Sequence, residues 1–231
     1  MKASEFDKFA DEYLATHKAN LAITGEDPEY FARYKIEELA NRYRTRRLPP
    51  PRRILDFGCG IGGSLPHLKA AFPQAELTAL DVSERSLAIA RSRFSGVAKF
   101  QTYDGEAVPS PAQRYDLIFS SCVFHHVDAA EHPAILRQLR GMLADDGAMA
   151  IFEHNPLNPV SRYIVASCPF DENAVLIRAG VFAERQRQAG FRRVEIAYTG
   201  FFPGALRALR PLEPMLARVP LGAQYYTLAR P

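Results

Sequence analysis

The segment Ile54-Leu55-Asp56-Phe57-Gly58-Cys59-Gly60-Ile61-Gly62-Gly63 constrains this chain more than any other stretch. Residues 54–57 form a short apolar run interrupted by one acid, the pattern of a buried strand. The glycines after it permit a tight turn and let backbone N–H groups approach a bound group closely. A helical pattern through Leu65, Leu68 and Phe72 comes next. A strand that turns on glycine into a helix is the opening unit of a doubly wound α/β sheet, whose ligands sit beyond the carboxyl ends of the strands. Taken alone, Gly58-x-Gly60-x-x-Gly63 also fits a dinucleotide fingerprint. The choice of ligand therefore rests on residues further along the chain.

Six more strands are expected: residues 76–80, 97–101, 115–120, 148–152, 193–198 and 225–229. Helical patterns separate most of them, among them 133–143, which stops at Asp145-Asp146-Gly147, and 181–189. The run 115–120 is almost wholly apolar, as a strand covered on both faces should be. The expected fold class is α/β, a doubly wound, mostly parallel, seven-stranded sheet with an N-terminal helical cap. Residues 1–50 would be the cap. Ser4 starts one helix through Phe6, Phe9 and Tyr13. Asp27-Pro28 starts a second through Phe31, Ile36, Leu39 and Tyr43. Pro49-Pro50-Pro51 is the connector, and residues 51–231 form the core. The stripe Leu206, Leu209, Leu212, Met215, Leu216 and Val219 predicts a helical insertion at 200–223, either packed inward, capping an apolar pocket, or touching a membrane surface.

Composition narrows the partners. The net charge of the 231 residues is +3, with 24% charged residues, too little basic excess for phosphate neutralisation, so no nucleic-acid partner is expected. The three cysteines, Cys59, Cys122 and Cys168, have neither disulfide-framework nor metal-ligand spacing, which favours a reducing cytoplasm and no metal. Neither a signal peptide nor a membrane span is legible. A monomer and a homodimer are equally compatible.

The acids around the glycines carry the chemical information. Asp56 lies inside the first strand, and Asp81 ends the second, where a carboxylate can accept hydrogen bonds from ribose hydroxyls. Tyr103-Asp104-Gly105-Glu106 comes after the third strand. Tyr115-Asp116-Leu117-Ile118-Phe119-Ser120-Ser121 forms the fourth. Leu139-Arg140-Gly141-Met142-Leu143-Ala144-Asp145-Asp146-Gly147 leads into the fifth. In order and spacing these five motifs resemble the class I S-adenosylmethionine-dependent methyltransferases, which have a Rossmann-like fold. Val123-Phe124-His125-His126-Val127 is similar to the small-molecule branch that includes the ubiquinone- and menaquinone-biosynthesis enzymes. The resemblance implies S-adenosyl-L-methionine as cofactor. Gly58, Gly60 and Gly62 would shape the pocket for its methionine part, with Asp56 in the same motif. Asp81 and Val82 would lie at the ribose, and Asp104, Gly105 and Glu106 at the adenine. Ser120 or Ser121 would lie near the methionine amine. A short-chain reductase would instead need Tyr-x-x-x-Lys, and no tyrosine here has that partner.

The implied activity is methyl transfer to O, N or C of a small, partly apolar metabolite by in-line displacement. Its alternative is a catalytically silent, cofactor-binding partner subunit. His125, His126 and His154 stand at the ligand edge of the sheet and are the candidate bases, since imidazole titrates near neutrality. Glu153 and Asn155 at the same edge, and Tyr13 and Tyr34 on the cap, are the candidate substrate contacts. Residues 168–173 form a polar loop placed to fold over the substrate.

Overall fold

The computed structural model describes residues 19–231. The first cap helix, with Tyr13, lies outside the described residues. Seven strands form one sheet in the order β3-β2-β1-β4-β5-β7-β6. They are β1 (Arg53–Phe57), β2 (Glu76–Asp81), β3 (Lys99–Thr102), β4 (Tyr115–Ser121), β5 (Leu143–His154), β6 (Arg193–Thr199) and β7 (Gln224–Arg230). β1 to β5 pair in parallel, and β7 runs antiparallel between β5 and β6. The order reverses direction between β1 and β4, which opens a crevice at their carboxyl ends.

Alternating side chains of the strands bury on opposite faces. Leu55, Phe57, Ile118, Met149 and Ile151 pack under α4 (His132–Met142) and α6 (Ala179–Gln188). Ile54, Leu77, Leu117, Phe119 and Phe152 pack with α1 (Pro28–Thr45), α2 (Leu65–Ala71) and α3 (Glu84–Arg93). The Asp27 side chain caps α1 by accepting from Tyr30 N at 2.7 Å, with Pro28 in the first turn. Ile36, Leu39 and Tyr43 of α1 share the core of the second face, so this helix is part of the sheet's own packing.

Three elements differ from the sequence expectation. β5 begins at Leu143, not at 148, because a register shift opposite Tyr115 and Leu117 absorbs the Ala144–Gly147 turn inside the strand. A side chain at Gly147 would meet Tyr115 O at 3.0 Å. The 200–223 segment is not a regular helix. A 3-10 run, Gly204–Leu212, passes into the four-residue α7 (Glu213–Leu216). Pro211 and Pro214 remove the N–H groups a longer α-helix would need. Finally, α5 (Pro159–Ala166) occupies the stretch after β5. It is capped by Asn158, whose side chain accepts from Ser161 N, and has Pro159 in its first turn. No helix among the described residues is long and apolar enough to cross a membrane.

Candidate active site

The carboxyl ends of β1, β2, β4 and β5 line one cavity of about 820 Å³, closed further by α1, α5 and the 168–173 segment. Its floor is the glycine turn. Gly58 N and Cys59 N donate to Leu80 O at 2.8 and 3.1 Å, which folds the turn onto β2. Gly58 has φ +72°, and a Cβ there would stand 2.3 Å from Val123 Cγ2. Only glycine fits this crossing. Gly60 N donates to Asp81 Oδ2 at 2.7 Å, and Ser83 N donates to Asp81 Oδ1 at 2.9 Å. Asp81 therefore fixes both the turn and the start of α3 while lining the cavity.

Asp56 is the second acid of the floor. It is buried, lines the cavity, and its Oδ2 has no hydrogen-bond partner. Burial, with Asp81 nearby, pushes its carboxyl up to about 8. A cation bound beside it would favour the ionised form and bring that value down. The space a Cβ would occupy over Gly60 and Gly63 is open. A floor of two acids under exposed backbone suits a cationic sulfonium and ammonium group. It repels a diphosphate. The residues thus fit an adenosyl sulfonium cofactor on their own chemistry.

The opposite wall is assembled from side chains. After β4, Cys122 adopts φ +59°, uncommon for a residue with a Cβ. Its N–H donates to Phe152 O at 2.8 Å. Lys35 reaches in from α1, where it is buried, and donates to Ser121 Oγ at 2.7 Å and Cys122 Sγ at 3.5 Å. Burial raises the Cys122 thiol, but the Lys35 ammonium and His154 outweigh it and bring the thiol down to about 6. His125 lies next, on a 3-10 turn, Phe124–His126. Its Nδ1 lies 2.6 Å from Glu153 Oε2, while Glu153 Oε1 accepts from Val123 N and Phe124 N. Its Nε2 lies 3.5 Å from Asp171 Oδ1, and His126 Nε2 lies 3.2 Å from the same oxygen. Burial would lower the His125 pKa. The Glu153 carboxylate and the bonds to Asp171 and Glu153 overcome that and lift it to about 10. Glu153 and Asp171 are in turn held below the usual carboxylate range. The neighbouring carboxylates thus favour the protonated form of His125. His125, His126 and Asp171 also present ligand atoms within 4.8 Å of one another, close enough for a metal ion, although both imidazoles already contact that carboxylate.

Of the residues expected from the sequence, Asp56, Gly58, Gly60, Asp81, Val82, Ser121, His125, His126 and His154 line this cavity together. Others stand elsewhere, for physical reasons. Gly62 is needed for packing, since a Cβ there would meet Phe94 Cδ2 at 2.8 Å, and Gly63 faces the cavity in its place. Ser120 is fully buried in the strand. Asp104 is exposed and accepts from Glu106 N and Ala107 N, closing a local turn around Gly105 outside the cavity lining. Tyr34 points away, bonding Thr199 and Glu213 to tie α1 to β6 and α7. Glu153 holds His125, and Asn155 Nδ2 donates to Pro220 O and Gly222 O at 3.1 and 2.8 Å. Sequence reasoning does not assign Lys35, Cys122 or Asp171 to the site as contacts. Lys35 carried a signal: it occupies a buried-face position one residue before Ile36 and four before Leu39. The 168–173 segment does close over the cavity, with Cys168, Asp171, Glu172 and Asn173 in its lining.

A doubly wound sheet with its glycine turn over two acidic strand ends defines a Rossmann-like fold of the methyltransferase type. Comparison with known proteins agrees. Residues 54–147 match the family described as a methyltransferase domain. Over 131 residues the chain is 37% identical to a trans-aconitate 2-methyltransferase of Acidovorax sp. (strain JS42), covering 54% of this chain and 48% of that protein. The chain spans about half the length of the curated trans-aconitate 2-methyltransferases of Acidovorax that it matches. A Thermotoga maritima structure, described as a SAM-dependent methyltransferase and possible histamine N-methyltransferase, superposes over 99% of this chain and 98% of its own, with TM-score 0.68 at 17% identity. The DhpI–SAH complex superposes over 100% of this chain and 95% of its own, with TM-score 0.65 at 16% identity. Residues 54–147 are thus similar to the methyltransferase-domain family, and the sheet has the fold of S-adenosylmethionine-dependent methyltransferase structures. S-adenosyl-L-methionine is the cofactor of that family.

Proposed function

We propose that this protein moves a methyl group from S-adenosylmethionine to O, N or C of a small, partly apolar metabolite by in-line displacement. One observation carries the reading. The unpartnered Asp56 carboxyl and the open backbone over Gly60 share a single cavity with Lys35, Cys122, His126 and His154. The cofactor, when bound, supplies a methyl group already activated by positive charge. What remains for the protein is to hold acceptor and methyl in line and to keep water out. Apolar lining from Leu21, Ile61, Val160 and Ile164 suits an acceptor with an apolar part, and Lys35 suits one with a polar or anionic end. For a hydroxyl or amine acceptor, His126 and His154 are the imidazoles available to take the proton, with His125 as the residue that positions His126 through Asp171. A carboxylate acceptor needs no base.

The three cysteines, none in a disulfide, suit a reducing cytoplasm. The silent-subunit alternative draws no support from the relatives, which are named as methyltransferases. Incubation with methyl-labelled S-adenosylmethionine and fractionated metabolite extract separates the two. Label should pass into a small-molecule fraction with the wild type and not with Asp81→Ala. Binding of S-adenosylhomocysteine without transfer into any fraction would return the protein to the silent class.

A further inference from the structure

Most of the large apolar side chains exposed in the described residues fall on two segments that meet beside the cavity. One is α5, which exposes Val160 and Tyr163. The other runs from Gly204 to Gly222 and exposes Leu209, Leu212, Met215 and Leu221. Hydrogen bonds lash them together: Asn158 Nδ2 donates to Leu221 O at 2.8 Å, and Asn155 Nδ2 to Pro220 O at 3.1 Å. Residues three apart eclipse in a 3-10 helix, so Leu209 and Leu212 stand in one line. Met215 extends it into α7 with 81% of its surface exposed, and Tyr163 and Leu221 are 58% and 62% exposed. An amphipathic helix ordinarily turns such a line toward the core. Here it faces outward.

The charges on the same two segments have one sign. Arg162, Arg207 and Arg218 are exposed. Arg210 is taken by Glu26 at 2.6 Å. The only acid on them, Glu213, is buried and accepts from Gly200 N and Phe202 N. Apolar side chains rimmed by arginine, with no exposed carboxylate on either segment, match the interface of an anionic bilayer, where alkyl chains and phosphate groups meet both features. The exposed acids Asp27, Glu29 and Glu172 lie on other parts of the cavity lining. A second copy of this chain would set arginine against arginine across a two-fold contact.

We propose that this face docks on an anionic phospholipid surface. Val160 belongs both to the face and to the cavity lining, beside Ser161 and Ile164. Docking therefore holds the mouth of the cavity at the lipid headgroups. The inference stands on this face alone and is independent of the methyl-transfer reading.

The test is flotation of the full chain with extruded vesicles of phosphatidylcholine alone or mixed equally with phosphatidylglycerol. The protein should float with the phosphatidylglycerol vesicles and stay behind with the neutral ones, and high salt should release it. Each of Arg162→Glu, Arg207→Glu and Arg218→Glu should lower partitioning by about fivefold or more. The triple variant Leu209→Ser/Leu212→Ser/Met215→Ser should abolish it, with circular dichroism and S-adenosylhomocysteine binding unchanged because these side chains are exposed. Failure to float, equal flotation with both vesicle types, or variants that float like the wild type would overturn the proposal. So would a wild-type dimer that the triple variant converts to monomer, which would make the face a self-contact.

Discussion

The floor of the cavity under β1 and β2 is made by backbone, whereas the wall beyond β4 and β5 is made by side chains from four distant segments. On the floor, Gly58, Gly60 and Asp81 are tied by hydrogen bonds between one strand end and its neighbour, and both strands belong to a single β-α-β unit. On the wall, Lys35 comes from α1, Cys122 and His125 lie just past β4, Glu153 and His154 end β5, and Asp171 comes from the segment beyond α5. The floor is a generic cradle fixed by local geometry. The wall depends on buried charges compensating one another, so it is where single substitutions do most harm.

The largest effect is therefore expected on the wall. Glu153→Gln leaves the buried His125 cation with one distant carboxylate and weakens the cap on Val123 N and Phe124 N. It should cost about 3–5 kcal/mol in chemical denaturation. The shifts also set a pH dependence. His125 is lifted to about 10, so its contribution is complete below the ordinary imidazole value and is lost as pH rises toward 10. Glu153 and Asp171 are lowered, so theirs is present above the ordinary carboxylate range and lost in acid. Asp56, raised to about 8, adds a contribution that is lost as pH climbs from the ordinary carboxylate range toward 8. Stability should therefore fall in strong acid as Glu153 and Asp171 protonate, and should decline steadily toward alkaline pH. The part of the alkaline fall that His125 carries should shrink in Glu153→Gln, while the part carried by Asp56 stays. A variant as stable as the wild type would mean that the wall is not held by charge.

On the floor, Gly58→Ala must place a Cβ against Val123 in a left-handed backbone. A loss of about 2–3 kcal/mol is expected. Val123→Ala in the same chain should restore part of it by relieving contact but not strain, a partial rescue readable in denaturation midpoints. The smallest effect sharpens the division between the halves. Lys35→Met should lower kcat/KM for the acceptor by about tenfold, the worth of one charge-assisted hydrogen bond, while the affinity for S-adenosylhomocysteine changes less than about twofold. Equal losses in both would place Lys35 with the cofactor.

The same division separates the legible from the illegible in the sequence. All seven strands and the glycine turn were legible, because alternation, glycine and the acid after β2 are local signals. Gly62 and Gly63 look alike in the sequence, and only the placement of Phe94 over Gly62 tells the glycine needed for packing from the one facing the cavity. Tyr34 and Lys35 are adjacent on α1, and one step around a helix decides which enters the cavity. Glu153 sits at the ligand edge, but its partners lie across the β4–β5 pairing, which no local pattern announces. The 200–223 stripe was periodic enough to suggest a helix, yet its prolines favoured three residues per turn.

Parallel calorimetry with two nucleotides tests the central claim most directly. S-adenosylhomocysteine and ADP are titrated separately into the wild type and Asp81→Ala. The homocysteine nucleoside should bind with a Kd below about 100 µM, Asp81→Ala should weaken it by about tenfold or more, and ADP should give no heat. Tight ADP binding would show that the acidic floor does not exclude a diphosphate, and S-adenosylhomocysteine binding that ignores residue 81 would show that the carboxylate ending β2 is not part of the cofactor site.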